Sequence, residues 1–252
     1  MILSVEKVDF AYPSRPVLQD ITFNVQRGEF VALLGTNGTG KTSLLKCINH
    51  ILEPQSGGVL IESQPVLELT RRILAQKIGY VEQQRQGNRM TVFDAVLMGR
   101  KPYINWDATR KDLEIVSQVL NRMNLTDYSL RYLDELSGGE LQKIFIARAL
   151  AQQPEVLLMD EPTSSLDLRN QIEVLKIARQ ICHSEGIAVI AAMHDINQAL
   201  RYADRYILLK DGQIFTAGDK TIMTPENLQA VYGVEVAVEE YNGDKVVIPL
   251  GD

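Results

Sequence analysis

The chain has 252 residues, of which 45% are hydrophobic, enough for one large α/β domain or two small ones around a packed core, which excludes a disordered chain. Its formal charge is −6 with no block of like charges, which argues against nucleic acid as the main partner, because phosphate backbones are met by basic faces. No apolar run approaches the roughly 18 residues a membrane span needs and no signal-peptide pattern opens the chain, while Cys47 and Cys182 lack zinc-type or redox-type spacing and read as reduced core residues.

In chain order, ILSVEKVDF, ITFNV and FVALLG read as short strands, followed by a helix from Lys41 to about Asn49. GVLIE and KIGYV predict two further strands. From about Thr91 to Met123 the character turns helical: Leu113, Val116, Leu120 and Met123 fall at i, i+3, i+7 and i+10, one apolar stripe on an amphipathic helix. A helix from about Gly138 to Ala151, the strand VLLMD, a helix from about Asn170 to His183 and the strand AVIAAM follow. Apolar strands alternating with helices imply a parallel sheet covered on both faces, with the 91–123 segment as a helical insert. Asp211-Gly212 and Asn242-Gly243 are hairpin signals, so the tail returns to antiparallel strands. No internal repeat or low-complexity linker is present.

Three motifs carry chemistry. Gly35 to Thr42 read GTNGTGKT, the pattern G-x-x-x-x-G-K-[ST], directly between an apolar strand and a helix. Glycines let the backbone wrap phosphates, the helix N-terminus adds partial positive charge, Lys41 can reach the β- and γ-phosphates and Thr42 can ligate Mg²⁺. The phosphate-site candidates are Gly35, Thr36, Asn37, Gly38, Thr39, Gly40, Lys41, Thr42 and Ser43. Second, VLLMDEP ends an apolar strand in two carboxylates, where a metal site at the end of a parallel strand would lie. Asp160 suits Mg²⁺ and Glu161 the water that attacks the γ-phosphate. Third, LSGGELQK places Ser137, Gly138 and Gly139 at a helix start, where backbone N–H groups can hold an anion. The same residues form a capping box, with Ser137 as cap and Glu140 at the third helical position. The first two motifs fit many nucleotide enzymes; a guanine-reading Asn-Lys-x-Asp segment is missing, which disfavours a GTPase.

The order P-loop, LSGGE, Asp-Glu after an apolar strand resembles the nucleotide-binding subunits of ABC transporters over nearly the whole chain. The resemblance implies an α/β P-loop NTPase fold with a RecA-like core, an N-terminal antiparallel β subdomain and a helical subdomain. Residues 1–85 and 151–252 would form the catalytic core and residues 86–150 the helical part. It implies ATP and Mg²⁺ as ligands. Tyr12, in the turn after VDF, matches the aromatic that stacks on adenine; an ordinary packed turn tyrosine is the alternative. Gln83 matches the glutamine that joins Mg²⁺ to the membrane-facing part, although Glu82 stands where many relatives have proline. Ser165, Leu166 and Asp167 match the loop that crosses the dimer interface, and His194 the histidine that contacts the γ-phosphate. Two such subunits would pack head to tail, each ATP lying between the P-loop of one and Ser137, Gly138 and Gly139 of the other. Lys143 stands where many relatives have arginine.

A narrower resemblance, carried by ARALAQQPEVLLMDEPTSSLDL, HDINQALRYADRYILLKDGQI and TPENLQAVYGVEV, points to ATPase subunits of importers for ferric siderophores, haem or cobalamin. It implies transmembrane permease subunits as direct partners, an extracytoplasmic substrate-binding protein as an indirect one, and a peripheral place on the cytoplasmic face of the membrane. Tyr103 and Trp106, in LMGRKPYINWD, are candidates for contact with the membrane subunit; a local aromatic cluster is the alternative. The rival reading is a soluble ABC ATPase of iron–sulfur assembly or DNA repair.

Overall fold

Four runs set the architecture: FVALL, VLLMD, AVIAA and YILLK bury nearly every side chain, which suits strands covered on both faces. The computed structural model describes residues 1–82 and 89–250. The chain opens with β1 (Leu3–Tyr12), β2 (Arg15–Val25) and β3 (Phe30–Leu34), then α1 (Lys41–Ile48), β4 (Ser56–Ile61) and β5 (Gln64–Pro65). Next come α2 (Arg71–Lys77), β6 (Ile78–Val81), α3 (Val92–Leu97), α4 (Arg110–Arg122) and α5 (Gly138–Ala151). β7 (Val156–Asp160), α6 (Leu168–Glu185), β8 (Ala188–Ala192), α7 (Ile196–Tyr202), β9 (Arg205–Lys210) and β10 (Gln213–Gly218) follow, and α8 (Pro225–Tyr232), β11 (Val236–Tyr241) and β12 (Asp244–Pro249) end the chain.

The central sheet has the order β10-β9-β3-β8-β7-β6, parallel except for β10. Alternation along each strand divides the interior in two. Phe30, Ala32 and Leu34 join Leu157 and Met159 in a core shared with the helical insert and α6 to α8. Val31 and Leu33 join Val156, Leu158 and α1 in a second core. The antiparallel sheet β2-β1-β4-β5 closes that second core with Leu3, Val5, Ile21 and Ile61. The tail folds into two hairpins whose turns, Asp211-Gly212 and Asn242-Gly243, have positive φ at both residues, as a type I′ turn requires. The second hairpin is anchored on α7 by Asn197, whose side chain both donates to Val247 O (3.0 Å) and accepts from Val247 N (2.8 Å).

The helical insert departs from the expected stripe. α4 buries Ile115, Val116, Val119 and Leu120, with Met123 just beyond it, whereas Leu113 is 39% exposed. The physical reason is that α4 packs against both α3 and α5, which needs a wider face than a single i, i+3, i+7 line. A buried ion pair fastens this region. Arg100 Nε donates to Asp112 Oδ1 (2.9 Å), and Arg100 Nη1 donates to Ala151 O (2.7 Å) at the end of α5. Tyr103 and Trp106 fall in the irregular segment before α4 and form no ring contact with each other among the described residues. Tyr103 lies under the Arg100 guanidinium (3.8 Å) and donates to Gln152 O (2.9 Å), while Trp106 is 96% exposed. No helix among the described residues is long and apolar enough to cross a membrane.

Candidate functional site

Strand register brings the motifs together. Leu33 in β3 is level with Ala192 in β8, and Ala192 is level with Asp160 in β7. The segments leaving these three parallel strands at their carboxyl ends therefore share one edge of the sheet: Gly35 to Ser43, Glu161 to Asp167, and Met193 to Asp195. Ligand sites of open α/β sheets lie at such an edge.

The loop from Gly35 to Gly40 is a tight backbone turn. Gly40 caps α1 with φ of 102°, and a Cβ there would come within 2.7 Å of Leu18 Cδ2, so both conformation and space demand glycine. Thr39 Oγ1 donates to Thr36 O across the turn (2.9 Å). Lys41, Thr42 and Ser43 form the first turn of α1, with Lys41 and Ser43 buried. Lys41 Nζ donates to Gly35 O (2.8 Å) and Thr36 O (3.0 Å), so the ammonium is held against the mouth of the loop. Burial lowers its pKa, and the nearby charges of Glu161 and Asp160 oppose that shift. Asn37 and Gly38 lie at the tip, beside a cavity of about 290 Å³ whose opposite wall is formed by Arg15 and Val17.

Thr42 Oγ1 donates to Asp160 Oδ1 at 2.8 Å, and Tyr80 OH, from β6, donates to Asp160 Oδ2 at 3.3 Å. Asp160 is only 3% exposed, and burial raises its pKa against these two hydrogen bonds. A buried carboxylate beside a threonine hydroxyl is a pair of hard oxygen donors, the ligand type a small divalent cation takes. Tyr80 is a member of this site that sequence reasoning missed; its signal was only its place near the end of KIGYV, one strand over from Asp160.

Glu161 has φ of 49°, a left-handed conformation uncommon for a non-glycine residue, and its N–H donates to Ala192 O (3.1 Å). Such outliers concentrate at functional sites. Its Oε1 lies 2.5 Å from His194 Nε2, so the two side chains meet across the gap between β7 and β8. Ser165 also has positive φ (64°), and Asp167 caps α6 by accepting from Asn170 N (2.8 Å).

Ser137, Gly138 and Gly139 open α5 as expected of a capping box. Ser137 Oγ accepts from Glu140 N (3.4 Å), and Glu140 Oε2 accepts from Ser137 N (2.8 Å). A Cβ on Gly139 would come within 2.3 Å of the Asn170 side chain, so this glycine allows the starts of α5 and α6 to touch. Tyr12 is the last residue of β1 rather than part of the turn after it, because the β1–β2 pairing continues to Tyr12 opposite Arg15. Its ring stands edge-on to Phe10 (5.0 Å) and is 39% exposed. Gln83 lies outside the described residues.

Residues 18–164 match the family described as ABC transporter. The chain is 55% identical over 251 residues to an uncharacterized ABC transporter ATP-binding protein of Methanocaldococcus jannaschii, covering 100% of this chain and 99% of that one. It is 35% identical to the cobalamin import ATP-binding protein of Halobacterium salinarum, covering 100% of this chain and 64% of that protein. Among solved structures it is similar to an inward-facing metal-chelate type ABC transporter (TM-score 0.86, 32% identity, 99% and 98% of the two chains). It is also similar to a dimeric post-hydrolysis ATP-binding cassette bound to ADP and Pi (TM-score 0.75, 27% identity, 86% and 98% of the two chains). The phosphate-loop geometry, the carboxylates beside it and these likenesses agree: the chain belongs to the ABC transporter family.

Proposed function

We infer that the chain is the ATP-binding and ATP-hydrolysing subunit of a membrane importer whose cargo is a metal chelate: a ferric siderophore, haem or cobalamin. The observation that carries the reading is the convergence at one sheet edge of Lys41, Thr42, Asp160, Glu161 and His194. The likeness to a metal-chelate type transporter and to a cobalamin import protein supports the choice of cargo.

In this reading the loop from Gly35 to Ser43 wraps the ATP phosphates, and Lys41 exchanges its carbonyl partners for β- and γ-phosphate oxygens. Tyr12 stacks on the adenine. Thr42 and Asp160, already in contact, would hold Mg²⁺ together with Gln83. That ion, when bound, would offset charge on the β- and γ-phosphates. Glu161 is placed to accept the proton of the attacking water, and His194, touching it, to orient it and to contact the γ-phosphate. Catalysis in such a site is mainly positioning and charge stabilisation.

A second copy supplies Ser137, Gly138 and Gly139 across a head-to-tail interface, with Ser165, Leu166 and Asp167 crossing it. ATP binds the closed dimer better than the separated subunits, so it shifts the population towards closure, and hydrolysis reverses the shift. The subunit sits peripherally at the cytoplasmic face, docked on permease subunits that receive cargo from an extracytoplasmic binding protein.

The test has two stages. The purified chain should hydrolyse ATP, and Glu161→Gln should lower the rate by at least about a hundredfold while ATP still binds, the scale expected for a positioned general base. Co-purified with its membrane subunits in vesicles, the chain should respond to one class among iron chelates, haem and cobalamin, with an organophosphonate as a metal-free control. Full activity in Glu161→Gln overturns the general-base role. A chain that captures no membrane subunit overturns the importer reading in favour of a soluble ATPase.

A further inference from the structure

We propose that Gln171 and Gln198 are positioning residues for hydrolysis, forming a relay that locks the loop from Thr163 to Asp167 to the helix that continues from His194. This deepens the proposed ATPase reading and rests on it.

Each glutamine lies in the first turn of a helix capped by an aspartate. Asp167 caps α6 through Asn170 N (2.8 Å), and Gln171 is in the first turn of that helix. Asp195 caps α7 through Gln198 N (3.0 Å), and Gln198 is in its first turn. Gln171 Nε2 donates back to two loop carbonyls, Leu166 O (2.9 Å) and Thr163 O (3.3 Å). Gln171 Oε1 accepts from Gln198 Nε2 (2.6 Å).

These contacts dictate one orientation for both amides. Only an NH₂ group can meet two carbonyls, so the loop fixes Gln171 with its oxygen towards α7. That oxygen in turn requires an NH₂ from Gln198, whose own Oε1 is left buried with no hydrogen-bond partner among the described residues. A buried orphan acceptor is unfavourable, and an apolar side chain of the same size would avoid it. Its retention makes sense if the Gln198 donor is needed where it is.

The same two chain segments already touch at Glu161 and His194 (2.5 Å). Two contacts several residues apart on each segment remove the freedom to pivot about one of them. His194 therefore cannot shift from Glu161 without moving the first turn of α7, and through the glutamines the loop that carries Ser165 to Asp167 moves with it. Sequence gives little sign of this, because 27 residues separate the partners.

The experiment uses the full chain and two variants. Gln198→Met keeps side-chain volume and leaves both Gln171 loop bonds intact, whereas Gln171→Glu keeps the acceptor towards Gln198 and loses both donors to the loop. We expect each to lower kcat by about tenfold, the size of effect that slight misplacement produces, with KM unchanged. The double variant should be no slower than the slower single one, as members of one relay are non-additive. Hydrogen exchange should quicken at Ser164 to Asp167 in Gln198→Met by about threefold, although the bond removed is to Gln171 and not to that loop, because local opening follows lost hydrogen bonds. Normal kcat together with unchanged loop exchange in Gln198→Met overturns the relay and leaves Gln171 as a local loop brace. If the unaltered chain fails to hydrolyse ATP, the functional reading falls, and the exchange measurement still decides whether α7 and the loop are coupled.

Discussion

Asp160 carries a conflict between stability and use that can be measured. Its carboxylate is buried beside Thr42 and Tyr80, and desolvation lifts its pKa above the usual 3.8. A carboxyl group whose folded pKa is raised binds protons more readily folded than unfolded, so its ionisation at neutral pH costs stability, and that cost vanishes below the unfolded value. Asp160→Asn keeps an acceptor for Thr42 and removes the charge. It should melt at a higher temperature than the parent near pH 7, with the difference shrinking as pH falls through the raised Asp160 pKa towards 3.8. Differential scanning fluorimetry across pH reads this directly; a variant that melts lower than the parent at neutral pH refutes it. The same variant should lose hydrolysis, so a charge retained at a cost to the fold is best understood as a charge kept for its ligand.

Among the elements, the helical insert is fastened by a buried ion pair as well as by its apolar faces. Arg100 and Asp112 have side chains only 3% and 6% exposed, and Asp112 also accepts from Thr109 N (3.0 Å) and Thr109 Oγ1 (2.6 Å). Hydrogen bonds from Thr109 and Arg100 hold the Asp112 carboxyl below the usual range despite burial. Asp112→Ala strands the guanidinium, and such broken pairs cost about 3–5 kcal/mol. Arg100→Met with Asp112→Leu should cost far less, because no buried charge remains. Urea titrations of both variants test the pair; equal losses would mean that packing, not charge, sets the cost. The Thr109–Asp112 capping box is a local contact, whereas nothing in the sequence signals that Arg100 reaches the same carboxylate. Leu113 falls outside the buried face for a related reason: periodicity reports that a helix has an apolar face, not how many neighbours that face must meet. Central strands were easier, since FVALL, VLLMD and AVIAA are apolar on both faces and admit few other placements. β2 begins at Arg15, well before ITFNV, because its first half pairs with β1 through an exposed edge that leaves no hydrophobic run. In the site, each motif was legible alone, while Tyr80, Gln171 and Gln198 depend on contacts between separate elements that no local pattern encodes.

For the whole molecule, the decisive question is whether one chain contains a complete site. Ser137 caps α5 and Gly139 abuts Asn170, so the proposed second anion cradle lies beside the start of α6, while Lys41 is bonded to the loop after β3. If the two cradles grip one ATP from different subunits, each dimer has two composite sites, and a chain with one damaged cradle still offers the other intact. Lys41→Ala should weaken nucleotide binding, and Ser137→Arg should leave monomer binding intact while placing a bulky cation where a partner's ATP must dock. Neither variant alone, in a Glu161→Gln background that stalls hydrolysis, should dimerise with ATP. Mixed, they can form a heterodimer in which the Lys41 of one chain faces the undamaged Ser137, Gly138 and Gly139 of the other, while the second site is doubly broken. With differently labelled chains, energy transfer should then appear on adding ATP, only in the mixture, and should rise with total protein concentration as mass action requires. A mixture as inert as its components would place both cradles in the service of a single chain and remove the head-to-tail dimer. Recovery requires an interface in which a defect in one chain is bypassed by its partner, which no monomeric site can imitate.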